Sequence, residues 1–127
     1  MSLGRILVVD DDEEVRRSVR LTLTKAGYDV VDAEDGEKGI EQMRSGDNPL
    51  MVDAILCDIH MPKVNGAEAI AFFRQQCPLV PVIVMTGRPD ITGVTTLMRQ
   101  GVVDYLTKPV RADELTEAVS KYARRHA

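Results

Sequence analysis

The sequence predicts an α/β domain built on a doubly wound parallel sheet, and three observations carry that prediction. Five short runs rich in Val, Ile and Leu recur at residues 6–9, 28–31, 54–57, 80–85 and 103–106. Their starts lie 22 to 26 residues apart, and each is followed by a stretch of helical character long enough for one crossover. That alternation is expected of βα units feeding parallel strands. The runs are apolar almost throughout instead of alternating with polar residues, so both faces of the sheet are expected to be covered.

The helices follow in order. Val15, Val19, Thr22, Leu23 and Ala26 form one stripe at helical spacing, with Arg16, Arg17, Arg20 and Lys25 mostly off it, and Gly27 stops the helix. A second helix is expected over residues 37–44, ending at Ser45-Gly46, with Asp47-Asn48-Pro49 as a loop. A third, 67–76, is closed by Pro78. The fourth, from about residue 90 to 100, holds five consecutive poor helix formers, Thr92, Gly93, Val94, Thr95 and Thr96, and is expected to be the least stable. The last, 113–124, carries Leu115, Ala118, Val119 and Tyr122 on one side and cations at its end, where they suit the helix dipole.

Bulk properties narrow the function. A chain of 127 residues, 44% hydrophobic and 28% charged, has the size of one domain with one substantial core. The net charge of −4 argues against direct contact with nucleic acid, which needs a concentrated basic stripe, and Arg124 and Arg125 are too few to make one. No apolar stretch is long enough for a membrane span, and the first strand begins too early to leave room for a signal peptide, so a cytoplasmic domain is expected. Met1-Ser2-Leu3 reads as an expression leftover, which leaves room for a longer natural chain. Cys57 and Cys77, with His60 and His126, make no zinc-type spacing, and buried free thiols are the expected reading of the cysteines.

In a doubly wound sheet the ligand crevice lies at the carboxyl ends of the strands. There the sequence places Asp10 and Asp11 after the first strand, Asp58 after the third, Thr86 after the fourth and Lys108 after the fifth. Any one of these alone is the ordinary way for a chain to surface, but together they form one polar rim. The first strand also runs into five consecutive acids, Asp10 to Glu14. Two carboxylates about 4 Å apart repel by roughly 4 kcal/mol at an effective dielectric near 20, so such a cluster needs a cation, a helix end or exposure to water. An oxygen-only set suits Mg²⁺ better than zinc. Asp12, Glu13 and Glu14 are read as caps of the first helix.

The residues Val8-Val9-Asp10-Asp11-Asp12, Asp58-Ile59-His60-Met61-Pro62-Lys63-Val64-Asn65-Gly66, Met85-Thr86-Gly87 and Asp104-Tyr105-Leu106-Thr107-Lys108-Pro109 resemble the signatures of response-regulator receiver domains, the CheY-like family of two-component signalling. The resemblance covers almost the whole chain in order, and implies one receiver domain over residues 4–125. It implies a flavodoxin-like, five-stranded parallel sheet of order 2-1-3-4-5 with five flanking helices. It further implies that Asp58 accepts a phosphoryl group from a histidine kinase or histidine phosphotransfer protein, in a reaction that needs Mg²⁺.

The roles implied by that resemblance are specific. Asp11 and Asp58 ligate Mg²⁺ directly, the backbone carbonyl of His60 adds a ligand, and Asp10 acts mainly through a bound water. Lys108 supplies charge to the phosphoryl oxygens, its bond to Pro109 being cis in most relatives. Thr86 donates its hydroxyl to the phosphoryl group, and Tyr105 turns inward as Thr86 moves. By itself Tyr105 is more often just core packing. Together these switch an output surface made by the fourth helix, fifth strand and fifth helix, toward an output domain or target that the sequence does not name, or toward a phosphorylation-dependent dimer. His60 and Arg88 occupy positions that vary in the family and are candidates for modulating the lifetime of the phospho-form. Val110 stands where many relatives have Phe.

Three other readings compete: a phosphatase-like enzyme, a nucleotide or flavin site on the same fold, and a binding module. An enzyme of the haloacid-dehalogenase type also uses a strand-end Asp with Mg²⁺, but normally carries a second acid two residues on, where this chain has His60. A flavin or nucleotide site would want a glycine- or hydroxyl-rich phosphate loop after the first strand, where this chain is acidic. A binding module without phosphoryl chemistry would have no need of the full polar set. The weak helix formers at residues 92–96 make the fourth helix the expected soft element of the switch. Hydrogen exchange should then find the amides of residues 91–99 less protected than those of the central strands before phosphorylation, and core-level protection there would count against this.

Overall fold

The computed structural model describes residues 2–59, 66–87 and 91–124, the side chains at positions 66, 67, 91, 92 and 94 excepted. The described elements, in chain order, are β1 (Arg5–Val9), α1 (Glu13–Lys25), β2 (Asp29–Ala33), α2 (Gly36–Arg44), α3 (Asn48–Met51), β3 (Val52–Asp58), α4 (Gly66–Gln76), β4 (Val82–Thr86), α5 (Ile91–Arg99), β5 (Asp104–Thr107) and α6 (Ala112–Tyr122). All neighbouring strands pair in parallel, in the order β2-β1-β3-β4-β5. The order reverses at β1, so the crevice outside the carboxyl ends lies between β1 and β3.

Strand residues alternate between two cores. Leu7 and Val9 of β1, Ile55 and Cys57 of β3, and Val82 and Val84 of β4 point to one face, where Met43, Ile70, Phe73 and Leu97 cover them. Ile6, Val8, Ala54, Leu56, Ile83 and Met85 point to the other, under Val19, Leu23, Leu115 and Val119 of α1 and α6. β3 is buried along its whole length, as a central strand covered on both faces must be.

The capping follows local chemistry. Asp12 is the N-cap of α1, its carboxylate accepting from the amides of Glu14 and Val15, with Glu13 and Glu14 in the first turn, where they meet the positive end of the helix. At the other end Gly27, at φ +102°, lets the Gly27 amide reach Thr24 O and the Tyr28 amide reach Leu23 O.

Four expectations need correction. Residues 47–49 do not form a simple loop: Pro49 lies in the first turn of α3, where a missing amide costs nothing, and Asp47 O accepts from the amides of Leu50 and Met51. There are therefore six described helices, one more than expected. Tyr28 belongs to the cap of α1, so β2 starts one residue later than expected and runs on to Ala33. Val80 donates to Cys77 O in a turn, and β4 begins only after Pro81. Finally, α6 ends at Tyr122, and Arg124 does not serve the helix dipole. Its amide donates to Asp53 O at 2.9 Å and its Nη2 to Val52 O at 2.5 Å, tying the end of α6 to the start of β3.

Gly39 sets how closely α2 approaches the sheet. A Cβ there would stand 2.8 Å from Val9 Cγ2 and 3.3 Å from Cγ1, and Val9 is fully buried in β1 with nowhere to move. Alanine gains about 1 kcal/mol in helix propensity over glycine, whereas overpacking a core costs about 1–3 kcal/mol. Gly39→Ala should therefore lower stability in urea unfolding despite the better helix former, and a rise would show that α2 can shift away without loss.

Candidate functional site

The site is assembled at the carboxyl ends of β1, β3, β4 and β5. Asp10 follows β1 directly, and its amide extends the ladder to Ala33 O at 3.1 Å. It is fully buried, and Asp58, the last residue of β3, is 3% exposed, while Asp11 is exposed. One carboxylate oxygen from each of these three lies within 4.8 Å of the others. Asp58 stands opposite Met85 in the sheet, so Thr86, the buried last residue of β4, sits one step beyond it. Thr86 in turn fixes the next strand's end: its carbonyl accepts from the Lys108 amide at 2.8 Å. The Lys108–Pro109 peptide is cis.

Lys108 is the cation at the centre. Its Nζ is 2.7 Å from Asp10 Oδ2 and 3.1 Å from Asp58 Oδ2. Burial pulls the ammonium's pKa down, but the two carboxylates outweigh it and leave the value above that of an ordinary lysine. Lys108 is thus held charged. Burial pushes the Asp10 carboxyl above its usual range, against the opposing pull of Lys108 and of the Asp12 amide, which donates to Oδ1 at 2.9 Å. Asp10 Oδ2 is the orphan of the site. It is sealed from water and close enough to Lys108 for strong attraction, but it lacks the geometry of a hydrogen bond.

These features fit a hard divalent cation. Three carboxylates face one ammonium, one carboxylate oxygen is buried without a hydrogen bond, and no thiolate or imidazole stands among the three. Cys57 adjoins Asp58 but is a buried thiol whose ionisation is opposed by burial and by the neighbouring acids. Cys77 is only partly buried, so the reading of two buried thiols holds for Cys57 alone.

Of the residues singled out in the sequence, Asp10, Asp11, Asp58 and Lys108 come together, with Thr86 joined to Lys108 through the backbone. Tyr105 lies on β5 beside Val84 and is 42% exposed as a residue, which overturns the core-packing alternative. His60 and Arg88 lie outside the described residues, as does most of the loop from His60 to Gly66. Arg16 escaped the sequence reading, which placed it only among the cations mostly off the apolar stripe of α1. Its Nη1 donates to Asp10 O at 2.6 Å. The available signal was its place in the first turns of α1, six residues after a strand-end acid.

A model of the response regulator receiver domain family matches residues 6–120. The chain belongs to that family. Receiver domains of two-component systems are, as a family, phosphorylated on an aspartate, and they bind Mg²⁺ at an acidic pocket. Among curated relatives, response regulator MprA of Mycolicibacterium vanbaalenii is 36% identical over 121 residues, covering 95% of this chain and 51% of that protein. Transcriptional regulatory protein GlrR of Escherichia coli K12 is 35% identical over 116 residues, 91% of this chain and 25% of that protein. This receiver domain therefore spans between a quarter and about half of the length of those relatives. Among solved structures, a response regulator receiver domain protein from Clostridium thermocellum superposes with a TM-score of 0.87 at 28% identity, covering 94% of both chains. A response regulator receiver protein from Pseudomonas putida does so at 0.86 and 29% identity, covering 95% of this chain and 98% of that one. No described helix is long and apolar enough to cross a membrane.

A carboxyl whose folded-state pKa is raised opposes folding when ionised, so its contribution is favourable at low pH and lost as the pH rises through the folded value. At neutral pH Asp10→Asn should therefore raise the melting temperature of the metal-free domain by a few degrees. A divalent cation at 100 times its Kd stabilises a folded protein by about 2.7 kcal/mol, and the variant should lose most of that gain from Mg²⁺. Thermal melts with and without Mg²⁺ check both signs, and a destabilised metal-free variant would contradict the assignment of strain to Asp10.

Proposed function

We propose that residues 4–125 form one receiver domain in which Asp58 takes the phosphoryl group from a phosphohistidine of a histidine kinase or a histidine phosphotransfer protein. The observation that supports this most directly is the convergence of the Asp10, Asp11 and Asp58 carboxylates within 4.8 Å of one another, with Lys108 Nζ 2.7 Å from Asp10 and 3.1 Å from Asp58. A carboxylate oxygen of Asp58 forms the bond to phosphorus while the donor's phosphorus–nitrogen bond breaks, its electron pair leaving with the imidazole. Phosphoryl transfer asks little of a protein beyond alignment and neutralisation of charge.

Each residue of the rim has a part in that. Asp58 is the nucleophile, held at the end of a strand buried on both faces and therefore placed with little freedom. Asp10, Asp11 and Asp58 would hold Mg²⁺, with the His60 carbonyl as a further ligand. Mg²⁺ supplies the positive charge that offsets repulsion between these acids and the incoming phosphoryl oxygens. Lys108 moves its attraction from Asp58 to the phosphoryl oxygens once the carboxylate has become an acyl phosphate. Thr86 donates its hydroxyl to the same group, and Tyr105, exposed beforehand, turns inward in step with it. That repacking reaches α5, β5 and α6, the surface offered to an output domain, a target protein or a second copy. His60 and Arg88 tune how long the acyl phosphate survives attack by water.

In this reading the domain promotes its own phosphorylation and dephosphorylation and is not a turnover enzyme on an external substrate. It works in the cytoplasm, without itself contacting nucleic acid or membrane. Incubation with acetyl phosphate or phosphoramidate and Mg²⁺ should add the mass of one phosphoryl group, seen by intact mass spectrometry. The adduct should disappear when Mg²⁺ is chelated and in Asp58→Asn. An adduct that persists in Asp58→Asn, or that forms equally without metal, would sink the assignment. Lys108→Ala should still bind Mg²⁺ but show much slower adduct formation, on the order of 100-fold for the loss of one preorganised charge.

A further inference from the structure

We propose that Arg16 is a positioning residue for the acid pair at the end of β1: its guanidinium fixes the carbonyl of Asp10 and so sets how Asp10 and Asp11 present their carboxylates to a divalent cation. The inference rests on the reading that these acids, with Asp58, hold Mg²⁺.

The need arises from the topology. Pairing between β1 and β2 ends at Val9 opposite Ala33, after which Asp35 caps α2 and the chain leaves the sheet. The Asp10 amide still finds Ala33 O at 3.1 Å, but among the described residues no strand residue donates to the Asp10 carbonyl. Arg16 fills that role from α1, Nη1 to O at 2.6 Å. The arginine is itself held at the start of the helix, where its amide donates to Asp12 O at 3.0 Å. Asp10 is thereby gripped at its amide by β2, at its carbonyl by α1 and at Oδ1 by the Asp12 amide, which leaves Oδ2 facing the rim.

The Asp10 carbonyl belongs to the peptide that joins Asp10 to Asp11. Fixing its plane fixes the direction in which Asp11 departs, and Asp11 is the exposed member of the trio. On its far side the Arg16 side chain lines a groove of about 550 Å³ with Asp32, Glu34 and Lys38, and its charge is felt at the Glu34 carboxylate. The half-buried side chain thus spans from the Asp10 carbonyl to the groove beside the end of β2.

Charge and positioning make opposite predictions for the metal. A guanidinium beside a cation site repels the cation, so its field alone would make Mg²⁺ bind tighter when Arg16 is neutralised. Loss of positioning makes it bind more weakly, and removing an outer partner of a metal ligand typically costs 10- to 100-fold in affinity. Isothermal titration of the whole chain with Mg²⁺ should show Arg16→Gln weakened roughly tenfold, at the low end of that range, and Arg16→Lys between it and the wild type. Thermal melts of the metal-free proteins establish that both are folded, and Arg16→Lys carries the test alone if Arg16→Gln is not. Affinity equal to or tighter than wild type in a folded variant would overturn the proposal. Absence of Mg²⁺ binding by the wild type would instead overturn the metal reading on which it rests.

Discussion

The structure depends on an excess of negative charge placed where the sheet cannot dilute it. Among the described residues, three carboxylates meet at the carboxyl ends of β1 and β3 with one ammonium among them, and two of the acids are buried. Lys108 pairs with both buried acids, but Asp10 Oδ2, 2.7 Å from the ammonium, lies outside hydrogen-bond geometry and is sealed from water. The metal-free domain therefore carries a local electrostatic penalty, and the binding of a cation relieves it. Stability has been given up at the site where the chemistry of the family takes place.

The rest of the fold supplies the rigidity that such a cluster requires. Asp58 sits at the end of a strand buried throughout, with core on both faces, and β1 beside it is buried from Ile6 to Val9. The packed layers beneath hold the two buried acids, Asp10 and Asp58, in place. Lys108 is tied to the same frame by the bond of its amide to Thr86 O, which joins the backbones that carry the cation and the hydroxyl. α5 is anchored at its far end, where Gly101, at φ +100°, allows its amide to reach Met98 O and lets the Val102 amide reach Leu97 O. Weak helix formers thus survive in α5 because Leu97 packs in the core and the cap holds the last turn. Tertiary contacts override propensity there.

Much of this was legible from the residues. Apolar runs at regular spacing gave the parallel strands, because a strand covered on both faces cannot afford polar residues, and strand-end polarity marked the rim. What the sequence concealed has local physical reasons. Asp-Asn-Pro reads as a turn and turned out to be the start of α3, since a proline in the first helical turn and a turn proline look alike in sequence. Tyr28 looks like strand and belongs to a helix cap, because the cap needs an apolar residue for the same core. Arg124 looks like a dipole cation and clamps β3 instead. Arg16 looks like one more cation off the apolar stripe, because an arginine's reach to a backbone carbonyl leaves no mark in periodicity.

The sequence by itself determined the class of the domain, the strand ends and the identity of the acids and cation placed on them, because burial and charge are properties of residue types in order. Only the tertiary structure decided which acid is buried and which exposed, that Lys108 lies between Asp10 and Asp58, that one oxygen is left without a hydrogen bond, and that Arg16 holds the Asp10 carbonyl. Those are distances between residues separated along the chain by as many as 98 positions, counted from Asp10 to Lys108. They are fixed by strand order and register, which set who meets whom at the rim.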